Sequence, residues 1–425
     1  MFNGISQGGF SLPEGVKKDR MSFNLVNNLV VIPVEVNGIE LSFLLDTGVS
    51  STIMFSLSEV DSLELNNAKS VRLRGLGEGG SIPALKSKKN TLKIGQAIDE
   101  NHTVYVVFDK SLNLSTRMGI PIHGIVGYEF FKKLVVKTNY NSRKLTFYNP
   151  ALYEEENCNK CEELNLTFQN KKPFIDVIIE ENGNSMISTL LIDSGSSDAI
   201  WLFDNEYLKT ELENKYFDDF LGQGLSGEIY GRRSKLPKFT IGNFELSNVK
   251  VAFPTEESME NIKMFEDRDG SLGGDLLRRF TVIFNYPSRK ILLKKNNKFK
   301  DPFHYNMSGL VIKHDGVVVA KDEKSKYNRQ DFEQEGKTNI SVSTVYDFYL
   351  VPRFVVSEIR KGSPAEEAGI MINDEIISVN GKSTYKFKLP EIIGLFASKA
   401  GKKITMKVKR NGIVYKKKFY LKAVF

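Results

Sequence analysis

Two short stretches of the chain place an aspartate directly after an apolar run and directly before a small hydroxyl residue and a glycine. The two triplets are Asp46-Thr47-Gly48 in FLLDTG and Asp193-Ser194-Gly195 in LLIDSG. Two carboxyl groups within hydrogen-bonding distance share a proton, because like charges that close cannot both ionise at low cost. The protonated acid can polarise an amide carbonyl while the ionised acid takes a proton from water, so such a pair can hydrolyse an amide bond without a covalent intermediate.

The surroundings of the two aspartates repeat as well, which a chance match of one triplet would not produce. The matching landmarks are Gly77 and Gly224, the Ile-Gly pairs ending at Gly95 and Gly242, the later glycines Gly127 and Gly274, and NYNSRKLTF (139–147) with NYPSRKILL (285–293). The separation is 147 residues at the aspartates and 146 at the last pair. We therefore predict two copies of one unit, a first copy at 22–150 and a second copy at 162–300, joined by a linker at 151–161.

Both copies read as β-rich. Alternating apolar and polar residues, interrupted by glycine-rich or Asn-Gly turns, predict strands that close into a small barrel. The pairs Asn37-Gly38 and Asn182-Gly183 predict hairpin turns that lead into the aspartate strands. A short helix is expected after each later glycine, at 128–133 and 275–279. Facing turns in a duplicated fold would bring both carboxyl groups together, and the hydroxyls of Thr47 and Ser194 are expected to bond across to the opposite turn.

The sequence from 22 to 297 resembles single-chain aspartic proteases, with the two-lobed plan of pepsins and the compact lobes of retroviral proteases. The resemblance is carried by the two Asp-Thr/Ser-Gly triplets and by the later apolar-apolar-Gly segments Ile125-Val126-Gly127 and Leu272-Gly273-Gly274. It implies two duplicated all-β lobes, six-stranded-type acid-protease barrels related by a pseudo-twofold axis. It implies Asp46 and Asp193 as the catalytic dyad, supported by Thr47, Gly48, Ser194, Gly195, Gly127 and Gly274. It also implies a preference for bulky apolar side chains near the cut.

Two glycine-rich segments are candidates for mobile flaps over a substrate. They are GLGEGG (75–80), here the first tip, with Gly75, Gly77 and Gly79, and GQGLSG (222–227), here the second tip, with Gly222 and Gly224. Two such flaps would resemble the symmetric retroviral arrangement. Val49 also follows the retroviral pattern, and the flap tyrosine of pepsins has no clear match. The alternative interpretation is two ordinary turns that never contact substrate.

The C-terminal segment, about 303–425, carries a different signal. GSPAEEAGI (362–370) and NDEIISVNGK (373–382) resemble a PDZ domain of the bacterial type. The resemblance implies a peptide groove beside Ser308, Gly309, Leu310 and Ile312 and beside a helix at 389–398 that includes Ile393. Such grooves add a peptide strand and hold its terminal carboxylate on backbone N–H groups, so C-terminal peptides are the expected ligands. The polar segment 321–338 is predicted to be an inserted loop.

Composition and residue spacing argue against several classes of function. A net charge of +7 over 425 residues, without basic stretches interleaved with aromatics, does not predict nucleic-acid binding. Cys158 and Cys161 lie alone in the linker, and the four histidines form no ligand-spaced cluster, so no metal is predicted. Two surface cysteines, with or without a local bond between them, are favoured over a redox site. No organic cofactor is implied, because the acid pair needs none.

No apolar run is long enough to span a bilayer, and the N-terminal segment 1–21 has no apolar signal-peptide core. The cytoplasm fits a chain without a leader, and the cell envelope or periplasm fits one whose signal segment has been removed. Because both lobes lie in one chain, a monomer would suffice. The sequence predicts an aspartic endopeptidase acting on polypeptides, with a PDZ domain for substrate binding or regulation. The alternatives are a catalytically inactive peptide-binding adaptor and a precursor-processing protease with a single partner.

Overall fold

The computed structural model describes residues 8–55, 62–77, 79–109, 112–155, 158–181, 184–203, 215–260, 268–332 and 337–424. The described chain is mostly β. It divides into two compact units, Met1–Tyr305 with Ala423–Phe425, and Asn306–Lys422. The predicted hairpin turn at Asn182-Gly183 lies outside the described residues.

The first copy holds eleven strands and two short helices over its described residues. The strands are β1 (Lys18–Ser22), β2 (Asn24–Val26), β3 (Leu29–Val36), β4 (Ile39–Leu45), β5 (Thr52–Met54), β6 (Lys69–Leu73), β7 (Ile82–Ile94), β8 (Ala97–Val107), β9 (Gly124–Val126), β10 (Val135–Asn139) and β11 (Lys144–Tyr148). The helices are α1 (Leu114–Met118) and α2 (Tyr128–Phe131), and a 3-10 turn spans Pro150–Leu152. The Asn37-Gly38 turn joins β3 to β4 with both residues at positive φ, as an Asn-Gly hairpin turn requires.

The second copy has the same number of strands in its described part. They are β12 (Cys161–Asn165), β13 (Thr167–Gln169), β14 (Lys172–Glu181), β15 (Asn184–Ile192), β16 (Ile200–Leu202), β17 (Phe217–Gly224), β18 (Gly227–Ile241), β19 (Phe244–Pro254), β20 (Gly270–Leu272), β21 (Phe280–Asn285) and β22 (Lys290–Lys295). The helices are α3 (Glu256–Met259) and α4 (Gly274–Leu277). Cys158 and Cys161, in the predicted linker, are joined by a disulfide.

Each copy builds an eight-stranded sheet of the same strand order. The first runs β2-β3-β4-β9-β5-β8-β7-β6 and the second runs β13-β14-β15-β20-β16-β19-β18-β17. Adding eleven to each strand number of the first sheet gives the second, and the additional pairings β3–β7 and β14–β18 obey the same rule. The repeat read from the sequence is therefore also a repeat of topology.

A third sheet joins the two copies. Its order is β1-β11-β10-β21-β22-β12, and its central pair is antiparallel, with Val136 opposite Phe284. Phe131 packs edge-on against Phe284 and stacks on Tyr286, with ring centroids 5.4 and 5.1 Å apart. Because this sheet and its aromatic contacts tie one copy to the other, they fix how the two aspartate turns approach.

The strands that precede the aspartates are buried at their ends. Phe43, Leu44 and Leu45 close β4, and all three are buried because β4 lies between β3 and β9. Leu190, Leu191 and Ile192 close β15 in the same setting between β14 and β20. Strands covered on both faces read as continuous apolar runs, which explains the apolar residues ahead of both aspartates.

The C-terminal unit is a small α+β arrangement. Its strands are β23 (Leu310–Phe332), β24 (Lys337–Ile359), β25 (Glu375–Val379), β26 (Lys382–Ser383), β27 (Lys403–Arg410) and β28 (Ile413–Tyr420), and its helices are α5 (Pro364–Glu367) and α6 (Leu389–Phe396), with a 3-10 turn at Thr384–Lys386. The sheet order is β23-β24-β25-β27-β28, and β26 pairs with β25. Ser363 caps α5 by accepting from the N–H of Glu366, and Gly369 follows the helix at φ 71°.

The loop predicted at 321–338 was wrong over its described part. Residues 321–332 and 337–338 continue β23 and β24 as one long antiparallel hairpin, paired from Leu310 opposite Ile359 to Phe332 opposite Lys337. The polar composition of 321–338 suggested a loop, but the opposing segment ISVSTVYDFYLV is rich in β-branched and aromatic residues. Strand preference in one arm and the backbone ladder between the arms outweigh the polar side chains, and those of residues 321–328 are mostly exposed.

Two features are absent from the described residues, a membrane-spanning helix and a cluster of metal ligands. No helix there combines the length and apolar character needed to cross a membrane. No group of three or more His, Cys, Asp or Glu side chains in the described part of the chain is arranged to hold a metal ion.

Candidate active site

The two aspartates occupy the same place in the two sheets. The N–H of Asp46 donates to the carbonyl of Val126 at 2.9 Å, and the N–H of Asp193 donates to the carbonyl of Leu272 at 2.8 Å. In each copy the acceptor ends the parallel neighbour of the aspartate strand, β9 or β20. The sequence repeat thus delivers both acids to equivalent turns.

The carboxyl groups of Asp46 and Asp193 meet and hydrogen-bond to each other. The N–H of Gly48 donates to Oδ1 of Asp46 at 2.7 Å, and the N–H of Gly195 donates to Oδ1 of Asp193 at 3.1 Å. A Cβ at Gly195 would collide with the Asp46 carboxylate, and one at Gly48 would lie 2.8 Å from Asp193 Oδ1. Both positions therefore require glycine for the opposite carboxylate to come so close.

The hydroxyl residues bond across the junction, as the sequence predicts. The N–H of Thr47 donates to Oγ of Ser194, and the N–H of Ser194 donates to Oγ1 of Thr47, both at 3.0 Å. Each hydroxyl then donates onward to the opposite strand, Thr47 to the carbonyl of Ile192 at 2.6 Å and Ser194 to that of Leu45 at 2.9 Å. Four buried hydrogen bonds therefore lock the two turns together.

The electrostatics of the pair favour one retained proton. Burial and then the negative charge of Asp193 raise the pKa of Asp46 well above its ordinary value. The hydrogen bond from Gly48 and the positive charge of Lys172 oppose this increase without cancelling it. The pair therefore retains one proton and titrates as a unit, with Asp46 as the acid whose pKa is raised.

The second supporting glycine is Gly273, one residue before the predicted Gly274. Val126 pairs with Leu45, and Leu272 pairs with Ile192 in the same way. Gly127 follows Val126 and Gly273 follows Leu272, so these two glycines are equivalent. A Cβ at Gly127 would collide with the carbonyl of Asp46, and one at Gly273 with that of Asp198. The predicted equivalence of Gly127 and Gly274 was wrong, because one residue is missing from the second copy before this glycine and the 146-residue offset applies there already.

Gly274 still lies at a tight point of the site. It begins α4, and its N–H donates to the carbonyl of Ser196 at 2.7 Å, as Tyr128 donates to Val49 at 3.1 Å in the first copy. A Cβ at Gly274 would lie 2.5 Å from the carbonyl oxygen of Asn28, which belongs to the first copy. This glycine therefore supports the junction between the copies.

The two glycine-rich tips contact each other. Ser226 of the second tip accepts a hydrogen bond from the N–H of Gly75 on its hydroxyl at 3.0 Å and one from the N–H of Gly79 on its carbonyl at 2.6 Å. Its own N–H donates to the carbonyl of Leu76 at 2.8 Å. A Cβ at Gly77 would lie 2.5 Å from the backbone nitrogen of Gly227, and one at Gly224 would collide with the carbonyl of Leu76. Gly222 has open space around its Cα and takes no part in this contact.

Each tip also places a leucine in the opposite copy. Leu76 packs against an apolar cluster of the second copy formed by Trp201, Leu221, Ile229 and Ala252. The counterpart, Leu225, packs against an apolar cluster of the first copy whose buried members are Val26, Leu29, Val31, Leu44, Phe55, Ala84, Val107, Leu112, Met118 and Ile122. The tips are thus interlocked by hydrogen bonds and by reciprocal apolar contacts, which the glycines suggested but did not specify.

Two cations near the dyad were missed by sequence reasoning. The charges of Asp193 and Asp46 act to raise the pKa of Lys172, and the charge of Asp193 acts to raise the pKa of Arg268. A signal was present, because aligning NNLVVIPVEV (27–36) with NKKPFIDVII (170–179) places a lysine opposite Leu29. The alignment alone does not reveal that both cations face the acids.

A buried charge network lies beside the second aspartate turn. Asp198 accepts from Nε1 of Trp201 and from Arg233, both at 2.8 Å, and Arg233 also contacts Asp219 at 2.7 Å. The two carboxylates raise the pKa of Arg233 against the effect of its burial. This network is a structural anchor of the second copy, since its charges are paired and hydrogen-bonded.

Comparison with known proteins assigns two domains. Residues 32–130 match the family model described as aspartyl protease, and residues 355–410 match the model described as PDZ domain. The chain carries an aspartyl protease domain and a PDZ domain. Asp46, the first tip and Gly127 lie inside the first match, whereas Asp193 lies outside it.

Individual relatives are similar over limited ranges. The carboxy-terminal processing protease CtpA of Bacillus subtilis (strain 168) is 46% identical over 59 residues, which are 14% of this chain and 12% of that protein. The chain thus matches only a small part of that relative's length. Among solved structures, the aspartic proteinase from Irpex lacteus aligns with a TM-score of 0.44 at 14% identity, over 67% of this chain and 99% of that chain.

In the PDZ domain, some of the residues predicted beside the groove are buried in the core and one lies at its edge. Leu310 and Ile312 are buried in the core of this unit, together with Ile392 and Phe396 of α6, so they can border a groove only through their backbone. Ile393 is only partly buried and packs at the edge of that core. The alternation of β23 turns Leu310 and Ile312 inward, which sequence periodicity alone could not assign to core or ligand.

The loop expected to hold a carboxylate has its N–H groups engaged internally. The N–H groups of Ser308 and Gly309 donate to Oδ1 of Asn306 at 3.0 and 3.2 Å. The N–H of Leu310 donates to the hydroxyl of Ser308 at 3.1 Å. A terminal carboxylate would therefore have to displace the Asn306 side chain to reach these donors.

Proposed function

We propose that this protein is an aspartic endopeptidase in which Asp46 and Asp193 form the catalytic pair. The observation that carries the proposal is the closed arrangement of the two turns, in which the carboxyl groups hydrogen-bond to each other and Thr47 and Ser194 bond reciprocally. Burying two acids together is costly, because the second charge is disfavoured by both burial and repulsion, and groups perturbed in this way cluster at functional sites.

The proposed reaction uses the proton distribution of the pair. Asp46, which holds the proton, donates to the carbonyl oxygen of the scissile peptide, while Asp193 takes a proton from a water that attacks the carbonyl carbon. The resulting diol returns one hydroxyl proton to Asp46, and the proton on Asp193 passes to the leaving nitrogen as the carbon–nitrogen bond breaks. Both acids are then in their starting states, and no covalent intermediate forms.

The domain limits belong to the same proposal. We assign two protease lobes to residues 22–150 and 162–300, related as duplicated barrels, and a PDZ domain to about 303–425. The matching strand orders of the two eight-stranded sheets support the duplication. The boundary between the compact units after Tyr305 supports a separate C-terminal domain.

We further propose that the PDZ domain binds polypeptide segments and thereby selects or regulates substrates. Strand β23 pairs with β24 alone over the described residues, so its other edge is available for an added strand. Strand addition there needs main-chain hydrogen bonds and does not need the loop donors that Asn306 and Ser308 already occupy. Internal segments of a polypeptide are therefore favoured over C-terminal peptides as ligands of this domain.

The test is cleavage of a complex peptide mixture from about pH 3 to 8, read by mass spectrometry, with and without a statine-type transition-state mimic. Inhibitable cleavage within peptides is expected. Removal of single terminal residues only would contradict the endopeptidase assignment. A folded protein without activity at any pH would favour a binding-only module, and the PDZ domain would then carry the function.

A further inference from the structure

The two copies differ beside the aspartates at one pair of equivalent positions. In the first copy, continuing the β3–β4 register from Val31 opposite Leu44 brings Leu29 opposite Asp46. In the second copy, the same continuation of the β14–β15 register brings Lys172 opposite Asp193. An apolar side chain next to one acid is thus replaced by a cation next to the other.

A second pair of positions shows the same replacement. Ile122 lies two residues before β9, and Arg268 lies two residues before β20. In each copy the next residue's carbonyl accepts from the N–H of a phenylalanine, Phe55 in the first and Phe203 in the second, both at 2.8 Å. Arg268 is therefore the counterpart of Ile122, and Phe203 is the counterpart of Phe55.

The character of the two sites is opposite. Leu29, Phe55 and Ile122 are fully buried members of one apolar cluster. In the second copy, Lys172 and Arg268 are only half-buried, so both reach solvent. The Arg268 guanidinium lies 4.7 Å from the centroid of the Phe203 ring, and its Nε donates to the carbonyl of Gly270 at 3.0 Å. The aromatic ring and the carbonyl together orient the guanidinium.

The two basic side chains and the two acids of this site act on one another. Burial and then the positive charge of Arg268 lower the pKa of Lys172, whereas Asp193 and Asp46 raise it. Burial lowers the pKa of Arg268 to about 10, against the effect of Asp193, so this guanidinium stays charged at neutral pH. With one shared proton the dyad carries a single negative charge, which two basic side chains face.

We propose that Lys172 and Arg268 form a carboxylate-binding subsite beside the catalytic pair, which selects substrates that carry a carboxylate close to the scissile bond. A guanidinium held on an aromatic ring next to an ammonium suits a carboxylate by charge and by hydrogen-bonding geometry. The matching site in the first copy is filled by its own apolar side chains, so the selection acts on one side of the cut. The inference rests on the proposed protease function.

A substrate carboxylate has two sources, an Asp or Glu side chain or the free C-terminus of the peptide. The experiment therefore uses matched peptides with Glu, Gln or Leu at each position within two residues of a cut, all with amidated C-termini. A second set of peptides has Gln at the tested position and ends there. Each is made with a free and with an amidated C-terminus, so that the terminal carboxylate is tested separately from a side-chain carboxylate. Charge-assisted hydrogen bonds predict that wild type cleaves the carboxylate peptide about tenfold or more faster, as kcat/KM, than its neutral match.

The variants are Lys172→Leu and Arg268→Ile, which copy the first-copy residues, with Lys172→Gln as a milder change. Lys171→Leu is the matched control, because Lys171 is the adjacent exposed lysine and contacts Glu129 at 3.0 Å. We expect the first three to lose the carboxylate preference, measured as the ratio of kcat/KM for the Glu and Leu peptides, and the control to keep it. Thermal unfolding checks that each variant is folded.

The remaining outcomes overturn the inference in distinguishable ways. Equal cleavage of Glu, Gln and Leu peptides by wild type would show that no carboxylate is selected. Variants that shift the pH profile of cleavage and keep the preference would show that the two cations act on the dyad alone. Absence of cleavage of every peptide by the folded wild type would remove the protease proposal itself, and the subsite with it.

Discussion

Thr47 and Ser194 hold the two halves of the site together by a reciprocal exchange, in which the N–H of each donates to the hydroxyl of the other at 3.0 Å. Both residues are buried, and each hydroxyl also donates to a main-chain carbonyl across the junction. The contact is therefore structural, and it would also serve the proposed catalysis, because the same bonds that join the copies set the separation of the two carboxyl groups.

Replacing Thr47 with Val should destabilise the protein by about 2–5 kcal/mol, because the N–H of Ser194 and the carbonyl of Ile192 would both be left buried without a partner. Urea unfolding measures the change. Thr91→Val is the control, since Thr91 is exposed on β7. Equal stability of the two variants would show that the reciprocal bonds contribute nothing.

Asp46→Asn should stabilise the protein as the pH rises. The pKa of Asp46 is higher in the folded state than in the unfolded state. The stability that this difference contributes is fully present below the unfolded pKa of 3.8 and is lost as the pH rises through the folded pKa. The variant has no such loss. Thermal unfolding from pH 3.5 to 7.5 should show little difference at the acid end and a growing advantage of the variant above it. A variant that is less stable throughout would contradict the assignment of the proton to Asp46.

Asp275→Asn should lower stability at pH 6 by roughly 2 kcal/mol, with the loss disappearing towards pH 2. Burial works against ionisation of Asp275, but Lys250 and Arg278, at 2.6 and 2.8 Å, help to hold its pKa at about 2. A lowered pKa gives stability that is present above the unfolded value of 3.8 and is lost as the pH falls through the folded value. Asp218→Asn, at an exposed residue, should change nothing; a pH-independent effect at Asp275 would refute the ion-pair explanation.

Leu76→Ala and Leu225→Ala should open the interlocked tips. Each truncation removes a side chain that packs into the opposite copy, so hydrogen exchange at the N–H groups of Gly75, Gly79 and Ser226 should accelerate by about tenfold. Leu152→Ala, at a 42% exposed residue outside the tips, is the control. Unchanged exchange at these three groups would show that the leucines do not hold the tips closed.

The pairing of the two acids could be predicted from the sequence because it follows from repetition. Equal spacing of Asp46 and Asp193 from later glycines implies equal folds, and equal folds can place equivalent turns face to face. The shift from Gly274 to Gly273 marks the limit of this reasoning. A spacing pattern shows that one residue is missing between two landmarks but does not show where.

Contacts between the copies could not be predicted in the same way. The reciprocal placement of Leu76 and Leu225 and the approach of Lys172 and Arg268 to the dyad depend on how two folded sheets pack. The prediction of a loop at 321–338 failed for a local reason, since the polar residues of one hairpin arm hid the strand preference of the other arm. Leu310 and Ile312 read equally well as core or groove residues, because both settings need an apolar side chain.

The central claim is that Asp46 and Asp193 act together in hydrolysis, and the most direct test compares wild type with Asp46→Asn and Asp193→Asn on one cleavable peptide in ¹⁸O-labelled water. Wild type should cleave the peptide and place one labelled oxygen in the new carboxylate, and both variants should be folded and lose cleavage by at least about a hundredfold. Retained cleavage by either folded variant would contradict the shared role of the two aspartates.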